Sequence, residues 1–313
     1  MKTFPLLAIA VLGLALAWAA SMHSQDREAQ VPLVQPPWER RTVLTDHQIT
    51  ESSGLARSVE HPSMIWTHND SGDVARAFLV DREGKTRSIL SLPIPRPIDW
   101  EDMTNFQVAG HSYLAFGDIG GNAMQRKSLV ITVVEEPKQL PANGAVQDAK
   151  PITTITVKIP NKLTDFESLA MAGPKSFLLV EKHILGGRVM EIPFDLHASE
   201  QSVEAQVIGT VSIPLATSCD VSPDYSKLAI VSYRHLYVYQ RDPLDDGSMA
   251  SWEKALQREP VKIELPKVTQ CEAVSFNEDG SRILITSERI PTPLLEIPFP
   301  WPASVDASKG SQP

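Results

Sequence analysis

The chain has 313 residues and a formal net charge of -9, from 38 acidic and 29 basic side chains. With 42% hydrophobic and 21% charged residues it can bury a sizeable core, which excludes a disordered chain. No basic run offsets the acidic balance locally, which excludes nucleic acid as a partner and leaves a membrane contact only to the N-terminal segment.

Residues 1–20 open with Lys2 and continue as an apolar run from Phe4 to Ala20, with Ala17-Trp18-Ala19 as a processing signature. The run lies between the length of a signal-peptide core and that of a full span, so it reads as a signal peptide or as an N-terminal anchor. Either way the protein is expected to be exported: periplasmic, secreted, or anchored to the envelope. Residues 21–40 are polar and carry Pro32, Pro36 and Pro37, the composition of a linker. A single domain is expected over 41–303, followed by a disordered tail over 304–313.

Short β-type runs dominate that domain: "RAFLVD" (76–81), "SLVITVV" (128–134), "ITTITVKI" (152–159), "SFLLVEK" (176–182), "KLAIVSY" (227–233), "HLYVYQ" (235–240) and "RILITSE" (282–288). They are rich in β-branched and aromatic residues and are bounded by Gly, Pro, Asn and Asp. The 25 prolines scattered between them disfavour long helices. "SWEKALQRE" (251–259) is the one helical stretch and reads as a surface insertion.

A repeat organises these runs. Ser53 in "SSGLA", Glu101 in "WEDM", Glu167 in "FESLA", Cys219 in "SCDVS" and Glu272 in "CEAVSF" fall 48, 66, 52 and 53 residues apart. Each unit continues with a second strand ending in a polar cluster and then with further strands. Five such units predict a five-bladed β-propeller, because a small sheet cannot bury both faces until neighbours stack around an axis. The last unit holds three strands, and "RRTVLTD" (40–46) is expected to supply its fourth. A six-bladed ring and a pair of β-sandwiches are the alternatives.

The first strand of every blade lines the central channel, so residues at one position of successive blades converge on the axis. Clustered carboxylates repel by about 4 kcal/mol per close pair at an effective dielectric near 20. Proton uptake or a cation can offset this. Carboxylates, a hydroxyl and carbonyls are hard oxygen ligands, which points to Ca2+ held by Ser53, Glu101, Glu167 and Glu272 with the carbonyls around Ser218 and Cys219. The alternative is that each Glu accepts hydrogen bonds from backbone amides.

The polar clusters should crowd the same mouth. They bring Asn69, Asp70 and Asp73 from the first unit, Asp118 and Asn122 from the second, Lys182 and His183 from the third, Arg234 and His235 from the fourth, and Glu288 and Arg289 from the fifth. Acids on early units and bases on later ones suit a small anionic substrate held against a carboxylate-activated water. On this reading Asp70, Asp118, Lys182, Arg234 and Arg289 are catalytic, and Asn69, Asp73, Asn122, His183, His235 and Glu288 bind substrate. "NDSGD" and "GDIGGN" are equally good turns.

"ESSGLARS", "WTHNDSGD", "DWEDM" and "FGDIGGN" resemble the ordered motifs of a family of exported bacterial propellers, grouped with phytase-like or esterase-like propellers. The match is strongest over 51 to about 135. That family has GDIGDN, from which Gly121 departs. The blade plan is also similar to that of the calcium-activated nucleotidases, or soluble apyrases, whose resemblance implies an axial Ca2+. The expected function is a calcium-binding, monomeric propeller acting as a phosphoester or phosphoanhydride hydrolase; alternatives are a non-catalytic ligand- or protein-binding propeller and a lactonase or esterase. Cys219 and Cys271 could pair in an exported protein.

Overall fold

The structure, a computed structural model, describes residues 33–34, 40–121, 126–161, 163–242, 248–266, 270–288 and 290–299. Five small sheets contain all the strands among them. Blade one is Ser52–Arg57, Ile65–Asn69, Arg76–Val80 and Thr86–Ser91; blade two is Trp100–Val108, His111–Asp118, Leu129–Glu135 and Pro151–Lys158. Blade three is Phe166–Gly173, Ser176–Glu181, Gly187–Pro193 and Gln206–Val211; blade four is Ala216–Val221, Lys227–Ser232, His235–Gln240 and Val261–Glu264. Blade five has Cys271–Phe276, Arg282–Ser287 and Pro293–Pro298, and takes its fourth strand, Arg40–Val43, from the N-terminal side of the domain.

Each inner strand packs against the next, and Cys271–Phe276 returns to Ser52–Arg57, so the ring closes with five blades rather than six. The expected clasp is present: Arg41 pairs with Leu295 and Val43 with Pro293. Many blade strands, such as Ile65–Asn69 and Ser176–Glu181, are buried along their whole length. A blade is covered on both faces by its neighbours, so both faces of these strands are buried, with polar residues such as Thr67 and His68 among the apolar ones.

Five apolar clusters fill the five joints between blades. Trp100 stacks on Phe116 at 4.9 Å in the joint between blades one and two. Phe177 stacks on Phe194 at 4.5 Å between blades two and three. Cys219 and Cys271 are free thiols, one in the joint of blades three and four and the other in that of blades four and five, so the pairing considered from sequence is not made.

Segments between blade strands cover the outer edges. Val146–Asp148 pairs in parallel with blade one, Glu200–Glu204 with blade two, and Leu33–Val34 with blade four. Leu33 and Val34 thus lie in a strand inside the stretch read as linker. The helix Met249–Leu256 packs on the outer strand of blade three. It is an insertion, but not a surface one: Trp252 is fully buried, its Nε1 donates to Ala172 O at 3.0 Å, and the Arg241 guanidinium lies 3.9 Å above its ring. Among the described residues no helix is long and apolar enough to cross a membrane.

Candidate functional site

The five inner strands carry a register shift at the same place, between residues 52 and 54, 100 and 102, 166 and 168, 216 and 218, and 271 and 273. A bulge inserts one unpaired residue and re-aims its side chain. The bulged residues are Ser53, Glu101, Glu167, Thr217 and Glu272. Thr217 therefore replaces Cys219 as the fourth ring member; Cys219 lies two residues further along, facing the joint between blades three and four.

The two hydroxyls of this ring tie blades together. Ser53 Oγ donates to Glu101 O at 2.6 Å, and Thr217 Oγ1 donates to Cys271 O at 2.8 Å. Ser53, expected as a metal ligand, thus directs its proton to the peptide carbonyl of the next bulge.

The acids converge more densely than the ring alone requires. Asp70, Asp99 and Glu101 bring carboxylate oxygens within 4.8 Å of one another, and so do Glu101, Asp165 and Glu167. Glu101 belongs to both triads. Asp99 and Asp165, two residues before Glu101 and Glu167, were missed in the sequence reading, although "DWE" and "DFE" repeat the same D-x-E spacing. Glu272 and Glu288 lie close enough to feel this charge.

Burial raises these carboxyls. Glu101 is held well above the usual carboxylate range, first by burial and then by Glu167. Burial pushes Glu167 up to about 8 despite the opposing Lys182 ammonium, and Glu272 up to about 9 with a further contribution from Glu167. Asp70, at the edge of the well, is pushed up to about 6 by burial, and Asp165 is raised for the same reason. Lys182 donates to Glu167 Oε2 and sits 5.2 Å from the centre of the Tyr233 ring. Burial alone would lower the Lys182 pKa, but the Glu167 charge beside it wins and raises it.

Glu101 is only 4% exposed, and no described residue donates a hydrogen bond to its carboxylate. The backbone-amide alternative therefore fails for this acid. It holds for Asp165, whose Oδ1 accepts from Gly121 N at 2.7 Å. A Cβ on Gly120 would lie 2.0 Å from Glu101 Oε1 and 2.3 Å from Asp99 Oδ2, so the missing side chain lets both carboxylates pack against the backbone at this point. A Cβ on Gly121 would fall 2.8 Å from Asp165 Oδ1, so the departure at this position leaves a backbone donor where the related motif has a carboxylate.

Several predicted site residues hold loops in place. Asn69 accepts from Thr50 N at 2.9 Å and donates to Gln48 O at 2.8 Å and Asp73 Oδ2 at 2.7 Å. Asp73 in turn pairs with Arg76 at 2.9 Å. Asp118 accepts from Ile98 N at 3.0 Å and Asp99 N at 2.9 Å, and pairs with the buried Arg126 at 3.0 Å. Both of its oxygens are thus engaged, which leaves the residue to set the entry to blade two.

Of the basic half of the expected site, Lys182 joins the acids through Glu167. Arg234 and His183 are exposed, and His235 lies half-buried against Tyr237. Glu288 is half-buried with its N–H on Gln270 O at 3.1 Å. Asn122 and Arg289 lie outside the described residues.

Below the acids, Asp102 is fully buried and was not singled out from sequence as a site residue. Its Oδ2 accepts from Leu169 N at 2.9 Å, Ser218 Oγ at 3.0 Å and Cys219 N at 3.1 Å. It fixes the inner strands of blades two, three and four relative to one another, and with them Glu101 and Glu167.

Fold and site together define a five-bladed β-propeller with an acid-lined axial mouth. No family model and no curated protein matches the chain. Among solved structures it is similar to one described as the Dos1 propeller, at 11% identity and a TM-score of 0.37, over 78% of this chain and 67% of that one.

Proposed function

We propose that the protein is an exported propeller that binds a divalent cation, Ca2+, at its axial mouth. The carrying observation is Glu101: a buried carboxylate to which no described residue donates, shared by two triads of acids and packed against the backbone of Gly120. The donor set is oxygen throughout, with neither thiolate nor imidazole in either triad, which suits a hard cation with many ligands. Asp99, Glu101, Asp165 and Glu167 would hold it, with Asp70 and Glu272 near. The apolar run of residues 4–20 supports export. Calorimetric titration of the chelator-treated protein with CaCl2 and MgCl2 tests the reading; no heat and no thermal shift with either ion overturns it.

A second reading is a calcium-dependent hydrolase, favoured by Asp70. Its carboxyl, pushed up to about 6 at the edge of the well, suits a general base near neutral pH. When bound, the cation would polarise a substrate oxygen. Asp70 would take the proton of an attacking water, and Lys182, steadied by Glu167 and Tyr233, would offset negative charge developing on the substrate. Turnover of nucleotides, phosphomonoesters, aryl esters or lactones that chelator abolishes, and that Asp70→Asn reduces at least tenfold, is the expected result. Inactivity towards all four substrates leaves cation binding as the function.

A further inference from the structure

Eight large hydrophobic residues are exposed among the described residues, and five of them surround the acidic mouth: Val74, Ile98, Ile184, Leu185 and Ile290. Val74, Ile184, Leu185 and Ile290 sit on loops joining second and third strands, and Ile98 immediately precedes Asp99 and the inner strand of blade two. Antiparallel order puts all these loops at the end where the inner strands begin. Ile184 is 67% and Leu185 83% exposed, two and three residues after Lys182. Single exposed apolar side chains need no explanation, but these five gather at one end of the ring, the end that carries the acids.

We infer that this mouth docks a segment of a partner protein in which a central Lys or Arg is flanked by apolar side chains. Charge selects the centre of the segment. Three acids from blades two and three, Glu101, Asp165 and Glu167, meet within 4.8 Å, Asp70, Glu272 and Glu288 lie around them, and Lys182 is the one cation placed among them in the described residues. Counted as formal charges, the acids of this well outnumber Lys182 and a bound divalent cation together. A polyanion or an anionic lipid surface is repelled by it, whereas an ammonium or guanidinium is attracted.

The rim selects the flanks. Its apolar side chains come from loops of blades one, three and five and from the entry to blade two, so a ligand that uses them must reach across the mouth. Blade four interrupts the rim with exposed Arg234. An extended segment satisfies both conditions, with a basic residue over the acids and apolar residues on either side.

The inference concerns the mouth of the proposed cation site but does not require the ion. Fluorescence anisotropy on the full chain would compare labelled Leu-Ile-Gly-Xaa-Gly-Ile-Leu peptides with Xaa as Lys, norleucine or Glu, with calcium and with chelator. The Lys peptide is expected to bind at least tenfold more tightly than either other peptide, and to weaken about tenfold in the double variant Ile184→Ser, Leu185→Ser. It should also weaken as salt is raised. That variant is expected to keep the parent's calcium titration, so loss of peptide binding is separable from loss of the ion. Equal binding of the Glu or norleucine peptide, full affinity in the double variant, or no binding of the Lys peptide overturns the inference. So does binding to phosphatidylserine vesicles that the same two substitutions abolish. Peptide selectivity that persists where calcium does not bind would sink the cation reading and leave this one standing.

Discussion

The carboxylate of Asp102 on blade two accepts a hydrogen bond from the backbone N–H of Cys219 on blade four, 3.1 Å away and across the channel axis. Non-adjacent blades are joined by one side chain, at full burial. Its carboxyl is held well above the usual range by burial, although four donors oppose the shift.

Removing this pin leaves the N–H groups of Leu169 and Cys219 without their acceptor at a fully buried position. Asp102→Ala is expected to cost about 3 kcal/mol, from the price of orphaned buried donors. Urea unfolding measures it, and the hydroxyl partner Ser218→Ala should cost about 1 kcal/mol.

Chelation should destabilise the parent protein but not Glu101→Gln. The amide keeps the shape of the side chain and loses the charge a cation needs, so calcium affinity is expected to fall at least a hundredfold, with the chelator-sensitive part of the melting temperature gone. Calorimetry and thermal unfolding in parallel report both.

Gly120→Ala tests the same site from the other side. The added methyl would meet the buried carboxylates of Glu101 and Asp99, not backbone, so the fold should survive with a loss of about 1 to 3 kcal/mol. Calcium binding is expected to weaken at least tenfold, read by the same titration.

The raised carboxyls set a pH dependence with a definite sign. Glu167 at about 8 and Glu272 at about 9 stand above their unfolded values, so their contribution is present in full at acid pH and is lost as pH rises through those values. Without cation, the melting temperature should fall by several degrees between about pH 6 and 9. With saturating calcium the fall should shrink, because ion binding favours the charged carboxylates; unfolding curves across pH, with and without chelator, check this.

Trp252 carries the helical insertion. Trp252→Ala is expected to cost about 3 to 5 kcal/mol, as for a large aromatic removed from a packed joint, and Trp252→Phe less. Denaturant unfolding monitored by far-ultraviolet circular dichroism distinguishes the two.

Much of the ring was legible before any coordinates, and the errors have physical causes. Glu101, Glu167 and Glu272 could be placed because each starts an inner strand with an acid before an apolar run. The fourth unit has no acid there, so "SCDVS" offered Cys219 at a plausible interval, whereas the bulge falls at Thr217. Asp99 and Asp165 stood in view but look like turn residues until the bulges aim them inward. Asn69, Asp73 and Asp118 have the composition of a site, and only their partners show that they brace loops. Trp252 was misjudged because nothing local reveals which surface a short helix will cover.

The order of strands, their number and the clasp by residues 40–43 were written in the chain itself, since repeat period and unpaired final strand are local properties of sequence. Which carboxylates meet across blades, and that Asp102 reaches from blade two to blade four, were decided only by ring closure. Those relations join residues tens to more than a hundred positions apart, and the desolvation that shifts their protons exists only once five blades exclude water from a common channel.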